Sequence, residues 1–323
     1  MRRFDVTIAG ELNLDLIFYG LPDELPPERE LLAEGMMLTL GGSSTIVAHN
    51  LAALGSRVGF ISRIGDDQLG QIALDRLAAG NVDVSKLRRV PGPIKTGLTL
   101  VLQRPSWRNM VTYAGTTFEI NFDDLDLEYL SSARHFHYSS FYLQRGLQPR
   151  IVELFQKLKA AGLTISLDTN DDPDDRWEAD LQQALRYVDV FLPNAREATR
   201  ITGTNDLEAA IAKLASQVPI VVVKLGSEGA LAQQGGQRFT APAVRVDPVD
   251  AVGAGDSFNA GFLHEYVRGS DLQNCLAGGN VAGALSTTKP GGTEAFCDSN
   301  YRDDFLRANA QSSGNKRKDE SAS

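Results

Sequence analysis

The run Asp250-Ala251-Val252-Gly253-Ala254-Gly255-Asp256-Ser257-Phe258-Asn259 opens a helical pattern that carries Phe262, Leu263, Tyr266 and Val267. Two glycines at a helix entrance let the main chain turn tightly and leave N–H groups facing outward. Those unpaired amides, with the positive end of the helix, make a place for an anion. An aspartate beside such a place is unusual, because its charge competes with the anion. Two readings fit. Asp256 takes a proton from a hydroxyl while the amides hold the phosphoryl group that the hydroxyl attacks, or it caps the helix.

Upstream of this run the chain alternates between helix and strand signals. Ile151 to Ala160 reads as a helix, Leu163 to Leu167 as a strand, Val188 to Leu192 as a short strand, Leu207 to Ser216 as a helix and Ile220 to Val223 as a strand. Buried Val/Ile runs between helices imply a parallel sheet covered on both faces. Nearer the start, Phe4 to Ala9 reads as a first strand, and a helix follows Gly41-Gly42 and stops at Gly55. Arg57 to Ile64 reads as a strand, and Asp67 to Ala79 as a helix ended by Gly80. The Pro- and Glu-rich segment from Leu21 to Leu40 reads as an extended lid or loop, and Gly97 to Gln103 with Asn109 to Tyr113 as a hairpin.

The chain has 323 residues, of which 42% are hydrophobic and 23% charged, an ordinary globular usage. Lys and Arg number 32 against 41 Asp and Glu, a formal charge of −9 that argues against nucleic acid or an anionic membrane as the main partner. No uncharged apolar run reaches the length of about 18 residues that a membrane helix needs. The apolar stretch after Met1-Arg2-Arg3 is broken at Asp5 and Glu11, too early for a secretory signal. Cys275 and Cys297 make no disulfide framework and lack metal-site spacing, so a reducing, cytoplasmic setting is expected. His135 and His137 have no third ligand nearby and make a weak case for metal. Familiar phosphate motifs are absent. No Gly-Lys pair exists for a P-loop, the third glycine of a dinucleotide fingerprint falls on Phe258, and the protein-kinase signatures are missing.

In order along nearly the whole chain, the sequence resembles the ribokinase/PfkB family of carbohydrate kinases. Gly41-Gly42-Ser-Ser-Thr-Ile46-Val-Ala-His49-Asn50 through Gly55, with Gly65-Asp-Asp67 and Gly70, resembles the N-terminal signature of that family, and Asp250 to Phe258 its C-terminal signature. The resemblance implies an α/β fold, a ribokinase-like, Rossmann-type three-layer sandwich with a small β-rich lid. It also implies a kinase domain over residues 1–305, with lid segments at about 11–40 and 95–115; the polar composition beyond it reads as a disordered tail over 306–323. Mg-ATP would be the donor and a primary hydroxyl of a sugar-like compound the acceptor.

Carried onto this chain, the resemblance makes Asp256 the base, with Gly253 shaping the turn and the amides of Ala254, Gly255 and Asp256 forming the anion hole. Gly10-Glu-Leu-Asn13-Leu-Asp15 resembles a first-strand motif whose aspartate grips sugar hydroxyls; without it, Asp15 reads as a turn residue. The substrate-binding set is Asn13, Asp15, Gly41, Gly42, Ile46 and Asn50. Asn194 and Glu197 resemble an Asn-x-x-Glu element near the magnesium shell, with Glu197 acting through water; read alone, Asn194 is a helix cap. Lys224, Gly226, Gly229 and Asn280 fall on the nucleotide side. A monovalent cation, K+, would sit under the anion hole near Asp250, Val252 and Gly291.

Two features depart from the pattern or extend it. The family usually has Asn where this chain has Ile46, and an apolar side chain cannot hydrogen-bond a hydroxyl, so acceptor recognition is shifted or substrate preference altered; His49 and Asn50 one turn on either compensate or face the core or the surface, the second reading being favoured. Asp168-Thr-Asn170 followed by Arg176-Trp177 resembles an element of sugar-acid and fructose-type members, and Asp171, Asp172, Asp174 and Asp175 read as a solvated loop. A nucleoside kinase of the same fold and a catalytically silent sugar- or nucleotide-binding regulator remain the alternatives. A homodimer through the lid is expected from the resemblance.

Overall fold

A computed structural model describes residues 2–105, 107–177 and 180–319; for residues 310–319 it describes the backbone alone. Its strands are β1 Phe4–Ala9, β2 Asn13–Tyr19, β3 Gly35–Gly41, β4 Val58–Ile61, β5 Arg63–Gly65, β6 Arg88–Val90, β7 Leu98–Gln103 and β8 Arg108–Tyr113. They continue with β9 Ala133–Tyr138, β10 Thr164–Leu167, β11 Val190–Phe191, β12 Ile220–Lys224, β13 Ala230–Gln234 and β14 Gln237–Ala241.

Eight strands form the main sheet in the order β14-β13-β12-β11-β10-β9-β1-β4. The pairs from β12 to β4 are parallel, whereas β13 and β14 add an antiparallel edge. Alternate side chains enter two cores, one on each face. Phe136, Phe191, Val221 and Val223 pack on one side, and Ile8, Phe60, Val222 and Phe262 on the other. Burial on both faces is what lets β12 read as an unbroken Val/Ile run. Each such side chain contributes about 1.5–3 kcal/mol when fully buried.

A second sheet, β3-β2-β7-β8, stands apart from the first. β3 comes from the end of the segment expected to be irregular, and it pairs antiparallel with β2 along its whole length, from Asn13↔Gly41 to Tyr19↔Gly35. Its pairing partner lies some twenty residues upstream, which local pattern does not reveal. The strand expected over Arg57 to Ile64 divides at Ser62, whose carbonyl accepts from Arg88 N, so that β5 leaves the main sheet to pair with β6. A helix spans Ser299–Asp319 and takes in most of the segment read as a tail; residues 320–323 lie outside the described residues. Among the described residues no helix is long and apolar enough to cross a membrane.

Candidate active site

The helix Ala254–Arg268 begins at Gly253, which sits in the left-handed region at φ 70°. A side chain there would be strained, and its Cβ would lie 2.7 Å from Gly292 Cα and 3.1 Å from Ile46 Cδ1. No side chain caps the helix, and among the described residues the amides of Gly255 and Asp256 have no protein acceptor. The loop before it is held by Asp250, whose Oδ1 accepts from Val252 N at 2.9 Å and whose Oδ2 accepts from Gly291 N and Tyr19 Oη, each at 3.1 Å. Asp250, Val252 and Gly291 therefore converge, and Tyr19 ties the second sheet to that point.

Ile46 and Asn50 correct the sequence reading. Both lie on the helix Ser43–Ala53, one turn apart, and face the anion loop from behind rather than an acceptor. Ile46 is 3% exposed and packs beneath Gly253 and Gly292. Asn50 has no exposure, and its Nδ2 donates to Ser257 Oγ at 2.9 Å and to the Gly292 carbonyl at 3.0 Å. A carbonyl only accepts, so Oδ1 is the free end of the amide and takes the Nδ1 proton of His49 at 2.8 Å. The physical reason is burial: Ser44 to Ala52 are all interior, and the cavity that His49 and Ala52 line is shared with Arg76 and Glu294, not with Asp256.

Around Asp256 the chain gathers acids. Asp256 is half-buried, and its carboxyl is pushed up to about 7 by burial and then by Asp168, while Lys224 and the Ser43 hydroxyl pull it down. Asp168 is fully buried; its Oδ2 accepts from Lys224 Nζ and from Asn259 Nδ2, each at 2.5 Å. Burial works against the charge on Lys224, yet Asp168 and Glu197 outweigh it and hold the ammonium above its ordinary range. Glu197 is likewise raised to about 7, by burial and then by Asp168. Asn194 caps the helix Ala195–Thr202: it accepts from Glu197 N at 2.9 Å, and Glu197 Oε2 accepts from Asn194 N at 2.9 Å. The helix-cap reading of Asn194 is thus realised as a capping box with Glu197.

Asp168 raises both Asp256 and Glu197, so three acids stand around the single ammonium of Lys224, an acid-rich setting that a divalent cation would relieve. Among the described residues, no three Asp, Glu, His or Cys side chains are grouped to hold one directly. A hydrated Mg2+, which meets few protein ligands, fits that arrangement.

Beside Asp256 lies Asp15 on β2, 6% exposed, with its carboxyl pushed up to about 7 by burial and then by Asp256. The Thr99 hydroxyl bonds it and lowers the value. Gly41 and Gly42 leave the room these groups occupy. A Cβ on Gly41 would fall 2.1 Å from Asp15 Oδ1, and one on Gly42 (φ 82°) would fall 2.1 Å from Asn13 Oδ1. Asn13 Oδ1 is buried with no hydrogen-bond partner, which leaves an acceptor in want of a donor.

Sequence reasoning missed Glu11 as a site residue. Its buried carboxylate accepts from Ser44 N at 3.0 Å, Ser44 Oγ at 2.7 Å, Ser140 Oγ at 2.8 Å and Gln144 Nε2 at 3.1 Å. It thereby holds the first turn of the helix Ser43–Ala53 through Ser44, next to Ser43, whose hydroxyl bonds Asp256. Asn170 Nδ2 donates to Ser43 Oγ and Ser140 Oγ. The available signal was an acid directly after Gly10 at a strand end.

On the far side of Lys224 opens a cavity of about 740 Å³ lined by Gly226, Gly229, Ala254, Gly255, Phe258 and Asn280, among others. Asn280 Nδ2 donates to the carbonyls of Ala241 at 2.9 Å and Pro242 at 3.0 Å, bracing the cavity wall. His135 and His137 lie elsewhere, in a buried chain with Thr164, Ser166 and Ser139 in which every link is 2.7 Å. Burial pushes both imidazoles down to about 3, so they are neutral struts.

Comparison with known proteins bears on the family and the fold. Residues 3–298 match the model of the pfkB family carbohydrate kinases. The chain is 31% identical over 284 residues to a 2-dehydro-3-deoxygluconokinase of Bacillus subtilis, covering 83% of this chain and 87% of that one. It is 30% identical over 321 residues to a fructokinase of Klebsiella pneumoniae, covering 94% and 98%. A candidate ribokinase II of E. coli, solved with ATP and Mg2+, superposes with a TM-score of 0.81 at 25% identity over 94% of this chain and 99% of that one.

Proposed function

The chain belongs to the pfkB family of carbohydrate kinases, and from that premise we propose that it moves the γ-phosphoryl group of Mg-ATP onto a primary hydroxyl of a sugar-like acceptor. One observation carries the reading. The Asp256 carboxylate stands at an uncapped helix entrance, with Lys224 and the large cavity on one side and Asp15 on the other.

In this reading the nucleotide lies in the cavity against Gly226, Gly229 and Asn280, and Lys224 meets its phosphate oxygens. Asp15 and Asn13 hold hydroxyls of the acceptor, since a carboxylate and an amide oxygen both take O–H donors. Asp256 receives the proton of the attacking hydroxyl as its oxygen bonds to phosphorus and ADP departs. The amides of Ala254, Gly255 and Asp256 take up charge developing on the phosphoryl oxygens. Mg2+, when bound, neutralises phosphate charge, with Asn194 and Glu197 holding it through water. A K+ beneath the loop, held by the carbonyls of Asp250, Val252 and Gly291, belongs to the same reading.

The exposed Met110, Val111 and Tyr113 of β8 and Met36 of β3 support pairing of the second sheet with that of another copy. Two free cysteines fit work in a reducing cytoplasm. The test of function is ADP release from ATP against a sugar panel. Release that depends on both acceptor and Mg2+ supports it, and a purified, folded protein that phosphorylates none refutes it.

A further inference from the structure

We infer that His49 is a positioning residue for phosphoryl transfer. It holds the Asn50 amide in the orientation that ties Ser257, next to Asp256, to the glycine strap behind the anion loop. This rests on the phosphotransfer reading and adds to it a residue that touches neither substrate.

The chain of contacts runs inward from a second cavity. Cys297 Sγ lies 3.7 Å from His49 Nε2 at the wall of a space of about 540 Å³, shared with Arg76, Glu294 and Arg302. The imidazole itself is 3% exposed, and burial holds its pKa below the ordinary range, so it is neutral and carries one ring proton. That proton sits on Nδ1, because Asn50 Oδ1 at 2.8 Å can only accept. Gly80 packs against the ring, since a Cβ there would fall 2.5 Å from His49 Cδ2.

Asn50 joins two pieces of the anion site. Its Nδ2 donates to Ser257 Oγ at 2.9 Å and to the Gly292 carbonyl at 3.0 Å. Ser257 belongs to the first turn of the helix that presents the amides of Gly255 and Asp256, and its N–H donates to the Gly253 carbonyl at 2.8 Å. Gly292 follows Gly291, whose N–H donates to Asp250 Oδ2 at 3.1 Å. Asn50 thus sets the spacing between the turn that carries Asp256 and the strap that backs it.

Without the His49 proton, Asn50 Oδ1 becomes a fully buried acceptor with no donor, a costly state. The Ser257 hydroxyl is a donor within reach, and turning the amide to meet it takes Nδ2 off Gly292. The helix entrance then moves against its strap, and a displacement of about 1 Å can cost roughly a hundredfold in rate. His49 does not line the cavity beside Lys224, so the loss should fall on turnover and spare binding of the nucleotide.

The full-length protein is assayed for ADP release as His49→Asn and His49→Gln, two amides that replace different ring nitrogens. Asparagine places its Nδ2 near the position of Nδ1, whereas glutamine reaches toward that of Nε2 and Cys297. His49→Asn should keep kcat within about threefold of the parent and His49→Gln should lose about tenfold or more, with KM for ATP and acceptor little changed in either. In an Asn50→Ala background, His49→Gln should change kcat by less than about twofold, because the group it acts through is gone. Equal kcat in the two variants, an effect confined to KM, or an undiminished loss in the Asn50→Ala background overturns the inference. His49→Phe, a ring without the donor, replaces the glutamine variant if that one does not fold. If the parent phosphorylates nothing, the kinase reading fails, and the backbone amide NMR signals of Gly255, Asp256 and Ser257 judge the positioning separately. Signals displaced in His49→Gln and kept in His49→Asn uphold it; signals unmoved in both, or displaced equally, sink it.

Discussion

Asp256→Asn should cost activity and add stability, two effects of opposite sign from one carboxylate. Asparagine keeps the shape but cannot take the hydroxyl proton. Loss of a positioned general base typically costs about a hundred- to ten-thousandfold, or roughly 2.7–5.5 kcal/mol of barrier. Stability runs the other way because Asp256 has an ordinary value of 3.8 and a folded value of about 7. The folded protein holds that proton more tightly than the unfolded chain does. Its contribution is fully present below 3.8 and is lost as pH rises through about 7, where the buried acid must carry its charge. At 1.36 kcal/mol per pH unit the penalty reaches about 2 kcal/mol at pH 5 and about 4 kcal/mol at pH 8, as order-of-magnitude ceilings. The amide removes it at both, so the gain in Tm should be larger at pH 8. Coupled ADP-release kinetics and thermal melts at the two pH values measure both quantities. A kcat within tenfold of the parent, or a Tm that falls at pH 8, would refute the reasoning.

Further outcomes follow from the same geometry. The kcat/KM of the parent should climb with pH through about 7, the value of Asp256, because the base acts only when deprotonated; a flat profile from pH 5.5 to 8.5 contradicts that. Gly253→Ala places a Cβ 2.7 Å from Gly292 Cα and imposes a left-handed residue at roughly 1–2 kcal/mol. Its kcat should drop about a hundredfold or more as the anion hole distorts, with only a modest change in Tm. Asn50→Ala should lower stability by about 1–3 kcal/mol, since it strips partners from Ser257, Gly292 and His49. The KM for the acceptor should stay near that of the parent, and a large rise would restore Asn50 to substrate contact. Sedimentation should show a dimer that Val111→Lys, on the exposed face of β8, converts to monomer.

The anion loop was legible because its parts are local. Gly253, Gly255 and Asp256 are neighbours in sequence, and a helix entrance needs no distant partner to expose its amides. The helix Gln68–Ala79, capped by Asp67 through Gly70 N at 2.8 Å, was readable for the same reason. For Asn50 the sequence left substrate contact and a core-facing role side by side, because helical spacing says which residues share a face and is silent on what that face meets. Glu11 escaped notice since its donors come from residues 44, 140 and 144, which the fold alone assembles.

The sequence by itself determined the alternation of helices and buried strands, the glycine bend with its acid, and the family to which these belong, for each is written in short-range pattern. Only the tertiary structure decided that Asp168 grips Lys224 and that Asp256 stands where it raises Asp15. Those are matters of distance and desolvation between groups far apart along the chain. A charge acquires its energy from what folding brings beside it.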